Sequence, residues 1–277
     1  MRLPAGTFCW RRPIVAKESN GGRRLRMNER RQPDPSLLLR VGGISALVAG
    51  ALFFSTVVYA FVIMAGSGFT QEMFDDRALL LPWVADHASL YRGLWLLYFA
   101  SQLFLLPVPV ALYALIRHGD ERGSWIAAPC AVAGAAAVVM AMVGLVVIYA
   151  TSSPVARAFV EAPASSSEQA GVLLLGDLFA DVGKELRLFS ELLLGVWLGG
   201  TGAVLLRRSR SVTGWAMLGI GACTLVVAIL KILDPLNPLE DFLGLFLAAG
   251  YVVIGVRLLR SGALVAARRT AAEPRPI

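Results

Sequence analysis

Apolar residues come along this chain in blocks of roughly twenty, without the polar interruptions of a soluble amphipathic fold. Wound as an α-helix at ~1.5 Å per residue, such a block matches the ~30 Å hydrocarbon core of a bilayer. Six blocks stand out, at about 41–66, 93–116, 125–150, 188–206, 212–233 and 241–259. The pattern predicts an all-α fold, a polytopic transmembrane helical bundle with six spans over residues 37–260. The ~10-residue alternating segments of an outer-membrane barrel are not present.

Small and breaking residues refine the spans. Gly42, Ala46 and Gly50 recur every fourth residue in the first, and Ala133, Ala137 and Ala141 do so in the third. Both series predict close helix packing. Pro107 and Pro109 in the second span remove backbone donors and predict a kink, near the polar Ser101 and Gln102. Freed carbonyls there would be able to line a cavity, as in the broken helices of transporters. Gly66, Ser67 and Gly68 predict a short turn after span one.

Two long segments on one side read as loops. Ser67–Arg92 carries Glu72, Asp75, Asp76 and Asp86 with Phe69, Trp83 and Tyr91, aromatics that suit an interfacial belt. Thr151–Arg187 is Ser-, Ala- and Pro-rich as far as Gln169, then turns apolar. Residues 1–36 form a basic tail with no means of building a core. The tail has no apolar h-region of a secretory signal. Met27 is an expected alternative start that would leave 1–26 untranslated. Residues 261–277 form a second tail.

Composition agrees with the spans. Of 277 residues, 57% are hydrophobic and 16% charged, against about 25% charged in a typical soluble domain. A soluble enzyme, a disordered chain and a disulfide-rich secreted module are excluded. Charge sets the direction. Twenty of the 26 Lys and Arg fall on the side of the two tails. Arg77, Arg92, Arg157, Lys184, Arg187 and Lys231 fall on the other, together with most of the acidic residues. The positive-inside effect then expects both termini in the cytoplasm (N-in/C-in) and the chain in a bacterial-type inner (cell) membrane. The basic segments lack interleaved aromatics for stacking bases, so membrane lipids, not nucleic acid, are the expected partners.

Chemistry is sparse. His87 and His118 fall on opposite membrane faces and cannot share a metal ion or a haem. Cys9, Cys130 and Cys223 form no CxxC pair and read as packing residues. No HExxH, GxSxG or P-loop pattern occurs. No enzyme activity, cofactor or metal is expected.

One constellation carries a functional expectation. With 170–206 as one helix, Asp177, Asp181, Lys184, Arg187 and Glu191 fall within about 120° of each other. Gly195, Gly199 and Gly202 continue the same stripe. Leu175, Phe179, Val182, Leu186, Leu193 and Trp197 take the other side. Such a stripe must face protein or a wet cleft, because lipid penalises it. Lys231 lies at a similar depth in span five, and Asp234, Glu240 and Asp241 surround the following hairpin. One reading is an outward-facing cleft between spans four, five and six. There Glu191 and Lys231, with Arg187, Lys184, Asp181 and Asp234, would bind or pass a small solute, an ion or a lipid headgroup. The plainer reading pairs Glu191 with Arg187 or Lys231, or lets these side chains snorkel to the interface. The alternative function is a non-catalytic structural or regulatory membrane component. It would act through a homo-oligomer or another membrane protein, with the span-four glycines as contact surface. An intramembrane enzyme using Glu191 is the weakest, since no base or metal set accompanies it.

With that layout in hand, the chain resembles a bacterial family of membrane proteins known only as a domain of unknown function. The resemblance rests on RVGGISALVAG (Arg40–Gly50), on LFLLPVPVALYALIRHGDERGSW joining spans two and three, and on ELLLGVWLGGTGAVLLRRSR ahead of VTGWAMLGIGA. It covers roughly residues 37–260. It implies a six-helix inner-membrane protein and transfers no catalytic residues.

Overall fold

In a computed structural model, residues 34–70, 72–117, 124–208, 211–233 and 239–272 are described. Among them every regular element is helical. Span one is α1 (Pro35–Val58), continued by a π-helical turn, Tyr59–Met64. Two short helices follow, α2 (Glu72–Asp75) and α3 (Arg77–Asp86). Span two is divided into α4 (Ala88–Leu105) and α5 (Pro107–Arg117). Spans three to six are α6 (Ser124–Glu161), α7 (Ser167–Arg208), α8 (Val212–Leu233) and α9 (Leu239–Ala272). Six helical stretches are therefore long and apolar enough to cross a membrane, as the apolar blocks predict.

The spans close into a ring in chain order, α1 against α4 and α5, these against α6, then α7, α8, α9 and back to α1. The break between α4 and α5 falls at Leu106, just before Pro107, as expected. The Leu106 N–H donates to the Leu103 carbonyl, the one Pro107 would otherwise leave open. Small residues set the closest approaches. A Cβ on Gly42 would overlap Ala111, and one on Gly43 would lie 3.0 Å from the Gly255 carbonyl. Ala137 and Ala141 are buried, and the Ser190 hydroxyl donates to the Ala137 carbonyl at 2.8 Å. Gly262 meets Ser36 and Leu39, so span one begins where α9 approaches its end.

The helices are longer than the apolar blocks, and this is the main departure from the sequence reading. The 38 residues of α6 and 42 of α7 extend for about 57 and 63 Å, against a bilayer core of ~30 Å. Measured from Ser124 and Arg208, the core is crossed by about Leu145 and Leu188. The outer half of this hairpin therefore stands beyond it, on the acidic face. Of Thr151–Arg187, read as a long connecting segment with helix from 170 onward, all but about 162–166 is helical, so the departure lies in Thr151–Gln169. Thr151 and Ser152 satisfy their hydroxyls on the carbonyls of Val147 and Ile148 one turn back. This lets helix continue into Pro154, and burial of Val155, Ala156 and Phe159 against α3 holds it there.

Ser67–Arg92 is likewise no open loop. Asp76 caps α3 by accepting from the Ala78 N–H at 2.8 Å. Phe69, Trp83 and Tyr91, expected as an interfacial belt, are instead buried in a second apolar cluster with Leu80, Leu145 and Phe159. Phe69 meets Trp83 edge-on at 4.9 Å. The predicted turn at 66–68 is present, with Gly68 at φ +87° and the Ser67 carbonyl accepting from Trp83 Nε1 at 3.2 Å. The π turn of span one brings Tyr59 over Gly93, where a side chain would clash, and Tyr59 donates to the Leu90 carbonyl. At the other end, α9 runs as helix to Ala272, past the expected limit of span six.

Candidate functional site

The α8–α9 hairpin is shorter than its neighbours. Span five ends at Leu233, whereas α6 and α7 continue outward. Glu191 and Lys231 lie at this step. Glu191 is about 24 Å along α7 from the basic end at Arg207, and Lys231 about 28 Å along α8 from Val212. Both lie near the acidic edge of a ~30 Å core.

The two side chains meet. Lys231 Nζ donates to Glu191 Oε2 at 2.8 Å and to Oε1 at 3.0 Å. The side chains are 14% and 12% exposed, respectively, so neither charge is fully solvated nor fully sealed. The last turn of α8 also favours the ammonium through its helix dipole. Below the pair, the span-four glycines lie against span five. A Cβ on Gly221 would overlap the backbone of Gly199, and one on Gly195 would lie 3.0 Å from the Gly221 carbonyl. Gly202 would meet Gly214 and Leu218. The expectation that this stripe faces protein holds, but the protein is the chain's own span five. Gly195 and Gly202 face that span, whereas a Cβ on Gly199 would have nothing within 4 Å.

The remaining expected site residues diverge. Arg187, one turn from Glu191, points to span two, its guanidinium carbon 5.5 Å from the centroid of Tyr98. Tyr98 is edge-on to Phe53 at 5.2 Å, and Phe53 to Tyr251 at 6.2 Å. An aromatic ladder thus links spans two, one and six. Asp177 lies 3.9 Å from Arg77 Nε. Asp181 and Lys184 are exposed. Asp234 lies outside the described residues, as do the side chains of Glu240 and Asp241 and all of His118. Among the described members of the six-residue set, Glu191 and Lys231 are in contact, Arg187 lies over Tyr98, and Lys184 and Asp181 are exposed. A stripe 120° wide reaches three different neighbours in a ring of helices, and a helical wheel carries no information about which.

His87 caps the end of α3, its ring stacked on Trp83 at 4.7 Å and its Nδ1 3.1 Å from the Trp83 carbonyl. Among the described residues no three His, Cys, Asp or Glu side chains gather to hold a metal ion. Cys130 is buried beside Gly200, and Cys223 is exposed.

A second polar feature escaped the sequence reading. A cavity of about 20 Å³ lies between α3, α4, α6 and α7, bordered by Arg77, Tyr91, Thr151 and Ser152. Its residues come from 77–91, from the outer turns of α6 and from Gly176 and Ala180 of α7. Arg77 amid apolar residues of an acidic loop was the available signal.

Residues 48–262 match the family described as Domain of unknown function (DUF4386). No curated protein and no solved structure matches the chain.

Proposed function

The chain belongs to the DUF4386 family, and within it we propose a non-enzymatic membrane protein that binds, or passes, a small polar solute or lipid headgroup at the acidic edge of spans four and five. Glu191 and Lys231 are the recognising pair. The observation that carries this reading is a carboxylate and an ammonium in contact, each slightly exposed, at the step beside a short hairpin. A membrane-depth ionisable pair in such a position is a functional candidate by default. Its chemistry suits a ligand with both charges, the ligand ammonium going to Glu191 and its phosphate or carboxylate to Lys231. Each new contact would replace one that the pair already makes, so no charge is left unpaired. The excess of Lys and Arg on the face of the tails supports cytoplasmic termini and an inner-membrane location, which places the pair outward.

Thermal unfolding of the purified chain, titrated with phosphatidylethanolamine, phosphatidylglycerol and small zwitterionic amino acids, tests this. Stabilisation by the doubly charged ligands, lost in both Glu191→Gln and Lys231→Gln, supports it. Responses equal in the variants and the parent chain contradict it.

One observation favours the structural alternative. Lys231 already engages both oxygens of Glu191, the geometry of a clip joining spans four and five. In that reading the protein is a scaffold or regulatory component acting through a partner.

A further inference from the structure

On the side of the tails Arg40, Arg117, Arg207, Arg260 and Arg268 are exposed, where water satisfies them. Arg257 of span six differs. It is partly buried, and its Nε–H is sealed from solvent without an acceptor. Among the described residues no carboxylate pairs with its guanidinium. A charged donor held in this way is costly unless an anion reaches it.

The position of Arg257 narrows what that anion is. Gly250 of span six packs on Ile220 of span five. Arg257, seven residues on, lies about 20° from Gly250 around the helix and so faces the same neighbour. It is also about 10 Å nearer the tails than Gly250, and Ile220 is about 12 Å from the start of span five at Val212. Arg257 is therefore level with the first turn of span five, at the edge of the hydrocarbon core where lipid phosphates begin. Phe246, Arg257 and Arg260 fall within about 60° of each other on the lipid-facing edge of the helix, and Phe246 and Arg260 are exposed. The distance from Phe246 to Arg257 is about 16 Å along the helix, close to half of a ~30 Å core and so to one leaflet of acyl chain. Two guanidinium groups one turn apart, with no described carboxylate paired to either, favour an anionic headgroup over a zwitterionic one. We propose that Arg257 binds the phosphate of an anionic phospholipid in the leaflet on the side of the tails. Arg260 is the second contact, and an acyl chain lies along the seam of spans five and six as far as Phe246. The lipid would hold these two spans together at the end opposite Lys231.

The test is thermal unfolding of the full chain in a neutral detergent, titrated with phosphatidylglycerol, phosphatidylcholine, diacylglycerol or inorganic phosphate. Phosphatidylglycerol should raise Tm in a saturable manner by about 2–4 °C. Phosphatidylcholine should need a several-fold higher concentration. Diacylglycerol, which has the chains without the phosphate, should have no effect. The phosphatidylglycerol response should vanish in Arg257→Gln and persist in Arg117→Gln, which removes one exposed charge from the same face. Should Arg257→Gln fail to fold, Arg257→Lys, which keeps the charge without the forked donors, should raise the half-effect concentration several-fold. Glu191→Gln should leave the phosphatidylglycerol response unchanged, which separates this site from the outer pair. A response undiminished in Arg257→Gln and Arg257→Lys, or lost equally in Arg117→Gln, overturns the proposal in favour of general attraction between anionic lipid and a basic face. An equal response to inorganic phosphate or to diacylglycerol overturns the phospholipid as the ligand.

Discussion

Lys231 Nζ and the carboxylate of Glu191 are joined by two hydrogen bonds of 2.8 and 3.0 Å across the junction of spans four and five. The pair lies near the level where span five ends. Removing one partner leaves the other charge with little water around it, which costs more than removing both. Glu191→Leu and Lys231→Met should each destabilise the chain by about 2–4 kcal/mol in thermal or denaturant unfolding. The double variant should lose clearly less than the sum. The reversed pair, Glu191→Lys with Lys231→Glu, should recover part of the loss. Additive effects would show that the two residues act separately.

Immediately below, spans four and five touch backbone to backbone at Gly199 and Gly221. Gly221→Val must push the helices apart, and should cost about 1–3 kcal/mol or prevent assembly. Gly219, two residues away on the same helix, has open space around its Cβ position. Gly219→Val should therefore cost well under half as much, although the helix-propensity change is the same. Equal effects in the two variants would remove the close crossing as the cause.

Arg187 lies over Tyr98 inside the ring of helices. A partly desolvated cation over an aromatic face contributes about 0.5–2 kcal/mol. Tyr98→Leu combined with Arg187→Met in a double-mutant cycle should show coupling of that size, and Tyr98→Phe should retain it. Zero coupling would mean the guanidinium is held by its other neighbours.

The six spans, the small-residue faces of spans one and three, and the break before Pro107 were all legible in the sequence. Each follows from a local rule, whether block length, spacing by four or the missing proline N–H. The outer half of the molecule was not legible. Thr151, Ser152 and Pro154 have the composition of a loop, yet they are helical: the Thr151 and Ser152 hydroxyls bond back to the helix, and Val155, Ala156 and Phe159 find partners on α3. Those partners lie about seventy to eighty residues away in sequence, beyond any local pattern. The candidate site was half legible. Depth and charge singled out Glu191 and Lys231. Only the arrangement of six helices could show that Arg187 turns to Tyr98 and Asp177 towards Arg77.

The hairpin of α6 and α7 offers a direct check of the long-helix geometry. Its turn at 162–166 is raised about 25 Å beyond the bilayer core by the helix lengths above. A protease site inserted there should be cut rapidly, and only from the face opposite the termini. Protection from both faces, or cleavage from the side of the tails, would contradict the geometry or the orientation respectively.

The proposal of a ligand-accessible pair stands or falls on whether aqueous reagents reach Glu191 and Lys231. In a chain with Cys9, Cys130 and Cys223 replaced, Glu191→Cys, Lys231→Cys and Val196→Cys would each be exposed to a membrane-impermeant thiol reagent from the outer side. Val196 is 49% exposed on α7, towards lipid, and serves as the control. Labelling at 191 and 231 with protection at 196 is the expected result. Protection at all three positions would identify the pair as a buried clip between two helices and end the binding proposal.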